Sequence, residues 1–122
     1  MIGSSFTGKT SLIQRFATDQ FVNTYSNTVG VDLKSVTLQV QDALVRINLW
    51  DTTGQEKFKS LTSSYFRGCH GAVAVFDITN RESLQSLEAQ IKEFRLLCPD
   101  KAQENIVLVG NKVDLENNRQ VS

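Results

Sequence analysis

Gly3, Gly8, Lys9 and Thr10 stand in the stretch GSSFTGKT, at the spacing Gly-x-x-x-x-Gly-Lys-Thr. These residue types at this spacing suit the binding of a phosphate chain. The two glycines let the backbone curl so that the amides of Ser4, Ser5, Phe6, Thr7 and Gly8 point inward. Lys9 adds a full positive charge, and Thr10 and Ser11 open a helix whose N-terminus favours anions. The Thr10 hydroxyl is placed to reach Mg²⁺.

Two further loops carry chemistry that fits the first. Asp51 closes an alternating strand and begins Asp-x-x-Gly, in which a carboxylate can hold magnesium through water and Gly54 leaves room for a backbone amide to approach a γ-phosphate. Asn111-Lys112-x-Asp114 follows a run of apolar residues. A carboxylate such as Asp114 accepts two hydrogen bonds from the N1–H and 2-amino group of guanine. Adenine lacks that donor pair and would leave the charge unpaired. Asn111 can secure a neighbouring loop, and Lys112 can lie along the base. Taken singly, Asp51 to Gly54 and Asn111 to Asp114 read as ordinary polar turns at strand ends; their order downstream of a phosphate loop favours the nucleotide reading.

Positioning these loops requires buried strands and amphipathic helices. Leu12, Ile13 and Phe16 fall on one side of a helix directly after the glycine loop. LKSVTLQV and LVRINLW alternate around Gln41-Asp42-Ala43 and predict an antiparallel hairpin. A loop running into a short helix is expected for DTTGQEKFKSLTSS. The continuous apolar runs GAVAVFDI and NIVLVG predict strands covered on both faces. Between them Leu84, Leu87, Ile91, Phe94 and Cys98 recur at helical spacing, up to Pro99-Asp100. The pattern predicts an α/β domain with a mainly parallel sheet, one antiparallel hairpin and helices on both faces, its polar loops gathered at the carboxyl ends of the strands.

With 122 residues the chain has the size of one domain, and thirteen basic against thirteen acidic residues give no net charge. A broad electrostatic footprint for nucleic acid or an anionic membrane is excluded, so phosphate binding must be local. Cys69 and Cys98 lack the close spacing of a metal or redox motif, and no signal peptide or long apolar run is present. These features point to a reduced, cytosolic protein, with Cys98 a core residue and His70 an ordinary polar position.

With the three loops in place, the chain resembles the Ras superfamily of small GTPases along nearly all of its length, and within it the Rab branch. TVGVD at Thr28 to Asp32, INLWDTTGQEKF at Ile47 to Phe58, SSYFRGCHGA at Ser63 to Ala72 and VFDITNRES at Val75 to Ser83 carry that resemblance. It implies a three-layer P-loop fold over residues 1–122, a partial G domain. It also implies GTP and GDP as ligands with Mg²⁺, and slow GTP hydrolysis regulating vesicle traffic. Phe21 would cover the guanine edge, and Tyr25 would lie near the phosphates. Thr28 would reach magnesium and the γ-phosphate in the triphosphate state, so Thr10, Thr28 and Asp51 would be the metal's protein ligands. Gln55 would orient the attacking water, with Lys9 and Mg²⁺ neutralising charge. Leu33, Trp50 and Tyr65 occupy the positions of the Rab apolar surface triad that meets effectors; the plainer reading makes Trp50 and Tyr65 half-buried structural residues. Exchange factor, GTPase-activating protein and effectors are the implied partners of a monomer, with membrane attachment through a C-terminal lipid anchor outside this sequence.

The sequence departs from the Rab pattern at four places. Phe6 replaces a small residue, so its ring must point away from the nucleotide. Thr7 replaces an apolar residue, Thr53 an alanine beside the γ-phosphate, and Leu33 a phenylalanine. The resemblance further implies that the first strand, reduced to Met1 and Ile2, belongs between the hairpin and GAVAVFDI, and that a last strand and helix are absent. A chain so cut is expected to lack a cooperative unfolding transition when isolated. The rival functions are a non-hydrolysing interaction module that binds nucleotide weakly, which Phe6 and Thr53 favour, and an ATP-using P-loop enzyme, which Asn111 to Asp114 disfavours.

Overall fold

In a computed structural model of the chain, residues 1–21, 31–52 and 64–122 are described. Helix α1 (Lys9–Thr18) follows the glycine loop directly. Strands β1 (Val31–Val40) and β2 (Ala43–Thr52) form the expected antiparallel hairpin, in register from Val31 opposite Thr52 to Val40 opposite Ala43. The two-residue turn places Gln41 in the left-handed region at φ 52°, the conformation that matches the twist of a tight hairpin. Strand β3 (Ala72–Asp77) pairs in parallel with β4 (Ile106–Asn111), and helix α2 (Arg81–Leu97) makes the crossover between them.

Met1 and Ile2 stand where the resemblance expects the first strand. The Met1 amine donates to the Trp50 carbonyl at 2.9 Å, and the Thr52 hydroxyl donates to the Met1 carbonyl at 2.6 Å. On the other side the Ile2 amide donates to the Val73 carbonyl, and its carbonyl accepts from the Val75 amide, each at 2.9 Å. Two residues thus join the hairpin to the parallel pair, in the order β1, β2, Met1–Ile2, β3, β4.

The core lies between α2 and one face of β3. Ile2, Phe66, Ala72, Ala74, Leu87, Phe94, Cys98 and Ala102 form it, with Phe66 and Phe94 edge to face at 5.3 Å between ring centres. Truncating a buried phenylalanine such as Phe94 to alanine costs about 3–5 kcal/mol. Val75, on the opposite face of β3 by strand alternation, is fully buried too, so β3 is covered on both sides as its apolar run predicts. Asn80 caps α2, its side chain accepting from the amides of Glu82 and Ser83, and the helix ends before Pro99.

Two expectations of burial require correction. Strand β4 is not covered on both faces: Val107 is 60% and Leu108 is 55% exposed. A parallel strand is buried by what packs over it, and no described element packs over these two side chains. In α1 only Ile13 of the three spaced apolar residues is fully buried, while Phe16 is exposed. The short helix expected near residue 60 lies mostly outside the described residues. Among the described residues, no helix is long and apolar enough to cross a membrane.

Candidate functional site

The glycine loop is held both by its own bonds and by bonds from outside it. Gly3 has φ 144° and lies so close to β3 that a Cβ there would collide with the Val75 carbonyl. Gly8, at φ 92°, has no room for a Cβ beside the Asn111 side chain. Both positions therefore require glycine for backbone angle and for space. The Lys9 side chain folds back across the loop, and its ammonium donates to the carbonyls of Gly3 at 2.8 Å and Ser4 at 2.7 Å. An ammonium has three donors, so one remains beyond these two for a phosphate oxygen. Thr7, whose departure from an apolar residue the sequence shows, is buried with its hydroxyl donated to the Ser4 carbonyl at 2.9 Å. The hydroxyl thereby braces the loop from inside, and the bond offsets the cost of taking it out of water.

Phe6 takes φ 66° and is 60% exposed. A left-handed phenylalanine costs roughly 1–2 kcal/mol relative to glycine. The side chain lies largely in solvent.

Lys9 and Asp51 form the charged floor. Lys9 is 5% exposed, and burial pushes its ammonium down to about 8, opposed by the nearby Asp51 carboxylate. Asp51 is 2% exposed. Burial pushes its carboxyl up, against a hydrogen bond from the Thr10 side chain and the charge of Lys9. Its Oδ1 is buried without a hydrogen-bond partner. An orphaned carboxylate oxygen, on a carboxylate that the Thr10 side chain also reaches, fits a hard divalent cation, which takes oxygen ligands directly or through water. Thr10 and Asp51 therefore fit Mg²⁺ in the way their residue types suggest.

The base loop leaves the end of β4. Asn111 is half-buried and donates from Nδ2 to the Thr7 carbonyl at 2.8 Å, fastening the end of β4 to the phosphate loop. Lys112 stands at φ 68°, and its ammonium pairs with Asp77 Oδ2 at 2.6 Å. Burial alone would raise the Asp77 carboxyl, but hydrogen bonds from Lys112 and Thr79 outweigh it and hold the group below its ordinary value. Asp114 lies in a 3₁₀ turn spanning Val113–Asn118, and is exposed. Phe21, beyond the end of α1, is likewise exposed.

The structure thus brings Gly3 to Ser11, Asp51 and Asn111 to Asp114 to one end of the strands. Tyr25, Thr28, Thr53, Gly54 and Gln55 lie outside the described residues. The apolar triad is assembled as well. Leu33 is directly opposite Trp50 across the hairpin, and the Trp50 and Tyr65 rings stand 4.5 Å apart at 33°. Leu33 is exposed, while Trp50 and Tyr65 are half-buried. Asp77 was missed by sequence reading as a partner of Lys112. Its position at the carboxyl end of β3, in the DITN loop, was the available signal. Ser86 and Gln90, which touch the phosphate loop from α2, were also missed. They lie among the polar residues of an amphipathic helix, and nothing in their spacing sets them apart.

Known proteins extend the same pattern. The chain is 43% identical over 121 residues to the GTP-binding protein YPTM1 of Zea mays, covering 99% of this chain and 57% of that protein. It is 41% identical over 122 residues to the Ras-related protein RIC1 of Oryza sativa subsp. japonica, covering 100% of this chain and 59% of that one. The Ras-related protein RABD2a of Arabidopsis thaliana is 40% identical over 121 residues, covering 99% and 59%. The chain therefore spans less than two thirds of these relatives. The family model described as Ras family matches residues 1–122. A glycine loop locked by its own lysine, an orphaned carboxylate beside Thr10 and an asparagine joining base loop to phosphate loop fall within that match, and the chain belongs to the Ras family.

Proposed function

We propose that this chain is the nucleotide-binding part of a Rab-like guanine-nucleotide switch, which binds GTP and GDP with Mg²⁺ and hydrolyses GTP slowly to GDP and phosphate. The observation that carries this reading is the Asn111 side chain on the Thr7 carbonyl, because it ties the guanine-reading motif to the phosphate loop across 104 residues of sequence. Loop amides and the third donor of Lys9 bind the phosphates, and Asp114 accepts from the guanine N1–H and 2-amino group. Thr10 and Asp51, joined by Thr28, would hold Mg²⁺, which when bound supplies positive charge to the β- and γ-phosphate oxygens. Gln55 orients a water for in-line attack on the γ-phosphorus, and the bond to the β-γ bridging oxygen breaks. Loss of the γ-phosphate releases Thr28 and alters the surface that partners read.

The Rab-like segments of the sequence are the ground for placing the switch in vesicle and membrane traffic, with exchange factors, activating proteins and effectors meeting the switches and Leu33, Trp50 and Tyr65. The protein would act as a monomer on the cytosolic face of endomembranes, held there by a lipid anchor. The left-handed Phe6 favours one second reading, a non-hydrolysing interaction module with weak nucleotide affinity. Titration calorimetry of the full-length protein with GDP, GTP and ATP in Mg²⁺ separates the two. Tight binding of GDP and GTP but not ATP is expected. A folded protein that binds none of them belongs to the second reading.

A further inference from the structure

Ser86 and Gln90 stand one turn apart on the same flank of α2, the i and i+4 positions. Both touch the first two residues of the phosphate loop. The Gly3 amide donates to Gln90 Oε1 at 2.8 Å, and the hydroxyls of Ser86 and Ser4 share a hydrogen bond of 2.5 Å. Gly3 is buried against β3, so its amide has Gln90 as partner in a place where solvent does not replace it. The carbonyls of the same two residues are the ones that Lys9 holds. The Gly3 amide and the Ser4 hydroxyl are thus bonded to α2, while the two carbonyls are bonded within the loop by Lys9 and Thr7.

The same helix reaches the neighbourhood of Lys112 from its first turn. The Asp77 amide donates to Ser83 Oγ at 2.9 Å, the Ser83 hydroxyl donates to the Asn80 carbonyl at 2.6 Å, and Asp77 holds Lys112. One helix therefore braces both halves of the site, through Ser83 at its first turn and through Ser86 and Gln90 along its flank.

We propose that Ser86 and Gln90 are positioning residues for nucleotide retention: they latch the start of the phosphate loop to α2 and so set how long GDP stays bound. The latch keeps Lys9 aimed, because the carbonyls that orient its ammonium belong to the latched residues. It rests on the guanine-nucleotide reading above, and it assigns a kinetic role to two residues that touch no ligand themselves.

Release of a fluorescent GDP analogue from the full-length protein in Mg²⁺ tests it. Gln90→Leu and Ser86→Ala should each release the analogue on the order of tenfold faster than wild type, and together faster than either. Ser86→Thr, which keeps the hydroxyl, should restore slow release. A general structural role would instead lower the melting temperature of all three variants, with Ser86→Thr no better than Ser86→Ala. That pattern would overturn the latch. Wild-type release rates in both Gln90→Leu and Ser86→Ala would overturn it too, while tight binding by the wild type leaves the guanine reading standing. If the wild type itself binds no GDP, the reading and the latch fall together.

Discussion

The two halves of the site are built on opposite plans. Around the phosphate loop the charged groups, Lys9 and Asp51, are buried, and the loop is fastened from within by Lys9 and Thr7 and from outside by Asn111 and Gln90. Around the base loop, Asp114 is exposed and Lys112 is tied to Asp77 through a half-open ion pair. The glycine loop has its backbone held by bonds within the protein. Under the proposed guanine role, the exposed Asp114 carboxylate would exert its preference only as the base removes its water. The proposed roles predict that Lys9 bears on affinity alone, whereas Asp114 bears on affinity and base preference together.

Lys9→Met is expected to give the largest effect. It removes the charge and the donor aimed at phosphate, and should weaken GDP binding by at least about 100-fold, with guanine still preferred over adenine in what binding remains. Calorimetry against GDP and ADP measures both. Asp114→Asn should do the reverse: on the order of 100-fold loss for GDP, recovered with xanthosine diphosphate, whose C2 oxygen replaces the amino group. Unchanged base preference in this variant would remove the contrast between the two halves.

Asp77→Asn is expected to have a middle-sized effect. It breaks the pair with Lys112 and should lower stability by about 1–2 kcal/mol in thermal unfolding of the full-length protein. The pH dependence has a definite sign. Because Asp77 is held below its unfolded value of about 3.9, its contribution is fully present above that pH and is lost as the pH falls through the folded value. The wild type should lose stability over that acid window more steeply than Asp77→Asn. Phe6→Gly should have the smallest effect. The side chain is largely in solvent and the loop's backbone angle suits glycine, so GDP affinity should change by less than about threefold. A rise of tenfold or more would show that the ring obstructs the phosphates and would favour the interaction module.

Much of this site was legible in the sequence because its local parts are short and self-contained. Gly3 to Thr10 suggests a phosphate loop within a few residues, and Asp51 to Gly54 and Asn111 to Asp114 gain their reading from following it in order. The alternation that gives the hairpin and the spacing that gives α2 are equally local. What could not be read is what the fold brings together from afar. Gln90 meets Gly3 across 87 residues and Asn111 meets Thr7 across 104, and no periodicity encodes either meeting. The exposure of Val107 and Leu108 was hidden for a related reason. An apolar run reports that a strand could be covered, whereas the covering depends on a second element.

Asn111 gives the site one more property. Its amide group bonds the loop proposed to hold phosphates from the loop proposed to hold the base, which gives the two a direct physical connection. Guanosine alone should quiet the motion of the phosphate loop, and pyrophosphate alone should quiet the base loop. By reciprocity the two fragments should each bind more tightly in the other's presence, by the same factor. The joined nucleotide would then be held more firmly than its separate pieces suggest, and prying at either end would loosen both.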